Sequence, residues 1–161
     1  MADLTVTLTE SVTLNGSARG STNTLTVSGV DDIYHRIITV PSGASNTTLV
    51  AFTTAQTGRD GAVDRDLVKY IRITNLDGSN SAILNLQIRV DEDAASVGDA
   101  NAGILLEAGK SFMLGGSKEM IDVAAGANDI DALTDLHDLE SIMIDPLAAE
   151  VRFELFIASV V

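Results

Sequence analysis

The sequence predicts an all-β protein, an antiparallel sandwich or barrel, on three observations. Apolar residues recur with a period of two over much of its length. Turn-forming pairs such as Asn15-Gly16 and Asp77-Gly78 punctuate these runs. Only one stretch carries a helix-like spacing of apolar residues. Many short strands with turn signals and almost no helix are the mark of that class.

Taken in order, Leu4, Val6 and Leu8 alternate with Thr5, Thr7 and Thr9, which predicts a half-buried strand with a threonine outer face. Val12 and Leu14 continue the alternation weakly up to Asn15-Gly16, a two-residue hairpin signal. Leu25 and Val27 alternate with Thr24, Thr26 and Ser28. The segments Ile33 to Val40 and Thr47 to Thr53 are rich in β-branched residues but apolar on both sides. Such strands are either central in a sandwich or turn an outer face toward another subunit. On the second reading Ile37, Ile38, Val50 and Phe52 are the candidate interface residues.

Leu67, Ile71 and Ile73 form one face, with Arg72 and Thr74 on the other. After the loop Asn75 to Ser81, Leu84, Leu86, Ile88 and Val90 alternate with Asn85, Gln87 and Arg89, and the two runs read as an antiparallel hairpin. Asp91 to Asn101 is an acidic exposed loop, and Ile104 to Leu106 leads through the turn Glu107 to Lys110 into a strand from Ser111 to Leu114. Glu119 to Val123 is a further short strand. Ile130, Leu133, Leu136 and Leu139 recur every third residue behind a capping Asn128, with Asp129 and Asp131 in the first turn, so at most one short helix is expected near 128–139. Ser141 to Ile144 and the alternating Val151, Phe153, Leu155 and Ile157 read as a last hairpin around Asp145-Pro146.

A length of 161 residues, 45% hydrophobic and 20% charged, suits one domain spanning 1–161. Two prolines leave no stiff linker, and the absence of cysteine removes disulfides and thiolate metal sites. The start, Met1 to Val6, lacks the basic and apolar regions of a secretory signal, which predicts a chain that does not use a Sec-type route or a mature form. No apolar run approaches the ~20 residues of a membrane-spanning helix. Ten Lys and Arg against 23 Asp and Glu give a formal charge of −13, which disfavours nucleic acid and anionic lipid as partners. The same acidity serves solubility or a basic partner surface.

The supply of catalytic groups is thin, with 2 histidines and no cysteine, and no enzyme is expected. His35 lies in an apolar strand-like run and reads as structural. His137 sits between Asp135 and Asp138, whose carboxylates should raise its pKa, but no G-x-S-x-G nucleophile motif accompanies it. Gly109-Lys110-Ser111 imitates a phosphate loop, yet Ile104 stands where its first glycine is needed and no helix can follow, so a tight turn is expected. Asp91, Glu92, Asp93 and Asp99 could offer oxygen ligands to Ca²⁺, with Asp91, Asp93 and Asp99 the candidates. Their loop lacks the D-x-D-x-D-G spacing, and solvated acids explain it as well. Aromatic residues, 4% of the chain, are too few for a stacking platform for sugars.

Three segments in order carry a resemblance: Tyr70 to Asn80 with the strand Ala82 to Ile88; Ile104 to Leu114 (I-L-L-E-A-G-K-S-F-M-L); and Leu139 to Ile144 with Ala149 to Ser159. This succession resembles small jelly-roll virion proteins of tailed bacteriophages, especially marine ones, and covers roughly residues 67 to 161. The resemblance implies an antiparallel β-sandwich of jelly-roll type that decorates or cements the capsid exterior by bridging neighbouring major capsid subunits. It implies a homotrimer, assembled in the host cytoplasm onto the virion, with no nucleic-acid or membrane partner. The first 60 or so residues would include an assembly-mediating segment. Two alternatives remain open: a head or tail fibre component binding host glycans, and a non-viral Ca²⁺-dependent or carbohydrate-binding β-domain.

Overall fold

The computed structural model describes residues 1–53, 62–64, 67–88, 100–115 and 139–160, which hold twelve strands and no α-helix. In chain order they are β1 (Ala2–Thr9), β2 (Thr13–Leu14), β3 (Ser17–Ala18), β4 (Thr22–Val40), β5 (Thr47–Thr53), β6 (Ala62–Asp64), β7 (Val68–Asn75), β8 (Ala82–Ile88), β9 (Ala100–Leu106), β10 (Ser111–Gly115), β11 (Leu139–Asp145) and β12 (Val151–Val160). Two five-stranded sheets form, in the orders β1-β4-β12-β7-β10 and β6-β5-β11-β8-β9, and β2 pairs with β3. All pairings are antiparallel except β5 with β6.

The pairing is nested. β8 pairs with β9, β7 with β10, β5 with β11, and β4 with β12. The chain is thus doubled at the connection from β8 to β9, and the doubled ribbon is wrapped so that successive rungs fall in alternate sheets. This is the eight-stranded jelly roll.

Wrapping overturns two hairpins that the sequence suggests. β7 and β8 lie in different sheets, and so do β11 and β12. The turn residues between them make corners. Each of these strands has one largely apolar face, and a corner sets those faces against each other across the core; a hairpin would set the strands side by side in one sheet. Ile71 and Ile73 of β7, Leu84 of β8, Ile142 and Ile144 of β11, and Phe153, Leu155 and Ile157 of β12 are all completely buried in one cluster. Burial of side chains this size stabilises by ~1.5–3 kcal/mol each. Of the expected short helix near 128–139, only Leu139 lies within the described residues, and it opens β11. The strand expected at Glu119 to Val123 also lies outside them.

Leu25–Val27 and Ile33–Val40, two strands by their patterns, belong to the single 19-residue β4. The join is Gly29, whose φ of 77° is open to glycine without strain and puts a bulge in the strand. Before it, β4 pairs with β1, and this hairpin packs on the outer face of the first sheet. Val27 and Val30 are buried there with Tyr70 and Ala158, and Leu4, Val6, Leu25 and Phe156 pack around them. The clearance is small: a Cβ at Gly115, on the far edge of the sheet, would meet Leu25 at 3.0 Å and the Tyr70 ring at 2.7 Å.

Four short connections, β4 to β5, β7 to β8, β9 to β10 and β11 to β12, gather at one end of the sandwich. Asn75, fully buried, ties two of them together, β7 to β8 and β9 to β10. Its side-chain amide donates to the carbonyls of Asn80 (2.9 Å) and Leu106 (3.1 Å), and its Oδ1 accepts from the Asp77 amide (3.0 Å). Its backbone N–H donates to the Lys110 carbonyl, its own carbonyl accepts from Gly109, and Leu76 next door donates to Arg152. Asp77 continues the turn by accepting from the amides of Ser79 and Asn80, which holds its carboxyl below its ordinary pKa of 3.8. Replacing Asn75 with alanine strands one part-buried donor and two carbonyls. Asn75→Ala is expected to destabilise the fold by roughly 2–4 kcal/mol in urea unfolding at an unchanged m-value. A loss below about 0.5 kcal/mol would show that water replaces the side chain freely.

Candidate functional surface

Alternation along the strands sends Tyr70, Arg72 and Thr74 to the face opposite Ile71 and Ile73, and Glu154 and Phe156 opposite Phe153 and Leu155. Antiparallel register then sets Glu154 between Thr74 of β7 and Ile37 of β4, and Phe156 between Arg72 and His35. The result is a row of polar contacts across four strands. The Glu154 carboxylate accepts from His35 Nε2 at 2.8 Å and from an Arg72 guanidinium nitrogen at 2.9 Å. The same guanidinium nitrogen donates to Thr74 Oγ1 (2.8 Å), which shares a hydrogen bond with Ser111 Oγ (2.8 Å) on β10. Phe156 sits beneath, with the Arg72 guanidinium 5.9 Å and the His35 ring 5.8 Å from its ring centre.

Hydrogen bonds from Arg72, and then from His35, hold the Glu154 carboxyl below its ordinary value of 4.5. Chemically this is a clamp between strands. The one hydroxyl pair in the row, Thr74 with Ser111, is bonded internally, and no hydroxyl is hydrogen-bonded to His35 among the described residues. No group of three or more His, Asp or Glu side chains able to hold a metal occurs among the described residues either.

The candidate interface residues separate. Ile37 is 57% exposed on the outer face of β4, beside Glu154. Ile38 points the other way and is half-buried against the core. Val50 and Phe52 are only 1% and 7% exposed and belong to the core itself, as the central-strand reading of this segment expects. The apolar run at Thr47 to Thr53 has a bulge in its pairing with β11, which buries Leu49 and Val50 in succession and gives the run its two-sided look. Asp91, Asp93 and Asp99, with Glu92, lie outside the described residues, as do Asn128, Asp129, Asp131 and His137. Gly109 and Lys110 form the turn between β9 and β10, with Lys110 exposed, and Ser111 begins β10.

Two features go beyond the sequence reading, which locates only the Asn15-Gly16 turn at the tip of the first. From Thr7 to Thr24 the β1–β4 hairpin leaves the body and every side chain is exposed. Backbone pairing continues along it through Glu10 to Ser21, Arg19 to Val12, and β2 with β3, to the Asn15-Gly16 turn, where both residues have positive φ (51° and 77°) as that two-residue turn requires. Leu8, Val12 and Leu14 are exposed along this arm, Leu8 despite its place in the period-two run. The second feature is the Glu154 clamp, whose members lie far apart in sequence and meet only through register.

Because Glu154 holds its proton less readily folded than unfolded, its stabilisation is fully present above about pH 4.5 and is lost as pH falls through the lower folded value. Urea midpoints taken between about pH 6 and pH 3 should fall more steeply for the natural chain than for Glu154→Gln. Parallel curves would mean that the clamp contributes nothing. No protein-family model, no curated protein and no solved structure matches the chain.

Proposed function

We propose that the protein is a structural component of a bacteriophage virion, decorating the capsid exterior as a homo-oligomer and bridging neighbouring major capsid subunits. The observation that carries this reading is the hairpin arm. A two-stranded ribbon is marginal in water on its own, yet Thr7 to Thr24 is regularly paired while its side chains stay exposed among the described residues. Leu8, Val12 and Leu14 lie exposed along it, as suits a strap laid over a neighbouring subunit. The resemblance of residues 67 to 161 to jelly-roll virion proteins points the same way, and so does a net charge of −13, which suits docking on basic patches of a shell while avoiding the packaged genome.

A decorating protein works by binding the assembled state more tightly than its parts, so that rupturing the shell requires its release as well. The jelly roll supplies a rigid body and the arm supplies reach. In this reading the capsid is the partner, and neither metal nor cofactor takes part.

Particles produced without this protein should release their genome at lower temperature and on dilution into low salt, and adding it back should restore them. A variant in which residues 10–21 are replaced by Asn-Gly, joining Thr9 to Thr22 through a two-residue turn, should fold but fail to restore stability. Mass spectrometry of particles should find many copies. Equal stability with and without the protein would remove the decoration reading, and a few copies per particle would favour a fibre component.

A further inference from the structure

β4 has neighbours on both sides, but at different places. β12 runs beside Val30 to Val40, and β1 runs beside Thr22 to Val30. Val30 is paired with both Ala2 and Val160, so the two neighbours lie on opposite sides of the strand. From Asp31 to Thr39, then, no strand among the described residues occupies the side opposite β12. The span is bounded at one end by Ala2 and at the other by Val40 and Pro41.

Exposed edges of this length normally carry devices against pairing, such as lysine, proline or a bulge. Asp31 to Thr39 contains neither lysine nor proline; a bulge against β12 falls at Asp31, at the end next to Ala2, and the register is unbroken from Asp32 to Thr39. It also exposes two isoleucines, Ile33 (44%) and Ile37 (57%), on the outer face.

We infer that this edge pairs with the same edge of a second copy, antiparallel, about a two-fold axis at His35. The second copy is the occupant because the sequence of the edge complements itself. Opposite residues in an antiparallel pair share a face, and His35 is the midpoint of Asp31 to Thr39. Centring there engages the regular stretch from Asp32 to Ile38. Ile33 then lies opposite Ile37 of the second copy, and Ile37 opposite its Ile33, two apolar pairs that flank the facing His35 side chains. On the other face Tyr34 meets Arg36 of the second copy, repeating between chains the cation–π contact that Arg36 makes over Tyr34 at 4.8 Å within one chain. Asp32 falls diagonal to Arg36 of the second copy. Moving the axis to Arg36 would set two arginines face to face. Moving it to Tyr34 would set Asp31 against Ile37 and drive the second strand into Ala2. The contact is isologous and closes after two copies. It holds whether or not the protein decorates a capsid.

The chain has no cysteine, so introduced thiols report cleanly. Directly opposite residues have Cα atoms ~4.5–5.5 Å apart, within the disulfide range of ~4.4–6.8 Å. Under mild oxidation His35→Cys should give covalent dimer. Ile33→Cys and Ile37→Cys should form no covalent dimer when oxidised alone and cross-link when mixed, a readout that does not depend on His35. In sedimentation the natural chain should form even-numbered oligomers as concentration rises, and Ile37→Lys should remain monomeric with an unchanged β spectrum. A natural chain that stays monomeric, a strict trimer, an Ile37→Lys variant that associates normally, or mixed Ile33→Cys and Ile37→Cys that fail to cross-link would each overturn the inference. None of these outcomes would bear on genome retention by particles.

Discussion

The structure depends on one placement: the last strand, β12, seated between β4 and β7. Its two edges hold strands laid down early and midway in the chain, and its inner face sends Phe153, Leu155 and Ile157 completely into the core. Until β12 is in place, β4 is bound to the first sheet only through its hairpin with β1, and the nested ribbon is open at its outermost rung. The topology therefore rests on pairings of high sequence separation. Such chains fold slowly, because loop closure must precede the contacts that reward it.

The same strand that β12 anchors supplies both of the surfaces that point outward. Before Gly29, β4 travels with β1 across the outer face of its own sheet and out into solvent as the arm; after Gly29 it runs beside β12, with no described strand on its other side. A bulge of one glycine thus divides a 19-residue strand into a reaching part and a pairing part. The face between them is held by the Glu154 clamp, which links β4, β12 and β7 and continues to β10 through Thr74 and Ser111. His35, Glu154, Arg72, Thr74 and Ser111 are bonded to one another across these strands and so hold them together.

How much of this the sequence discloses depends on the range of the interaction. Period-two patterning locates β1, β7, β8 and β12 well, and Asn15-Gly16 announces its turn, because both signals are local. Pairing is not local. Turn residues at Asp77-Gly78 and Asp145-Pro146 look the same whether the chain makes a hairpin or a corner, so strands that face each other across the core read as neighbours in one sheet. Gly29 within an alternating run looks like a break between strands. Val50 and Phe52 look like an interface because a bulge buries consecutive residues of β5. Asn75 sits in a loop-like stretch, and only the arrival of Leu106, Asn80 and Lys110 around it makes a buried hub of an ordinary turn residue. For Ile37 alone among the four candidate interface residues does exposure agree with the sequence reading.

Residue-resolved hydrogen exchange on the isolated chain tests the central claim most directly. If β12 closes the fold, the amides of Val151 to Ala158 and those of their partner β7 exchange last and together, at the free energy of global unfolding, while Thr7 to Thr24 exchanges early. The account is contradicted if β12 exchanges well before β5, β8 and β11, or if the arm is as protected as the core in dilute solution.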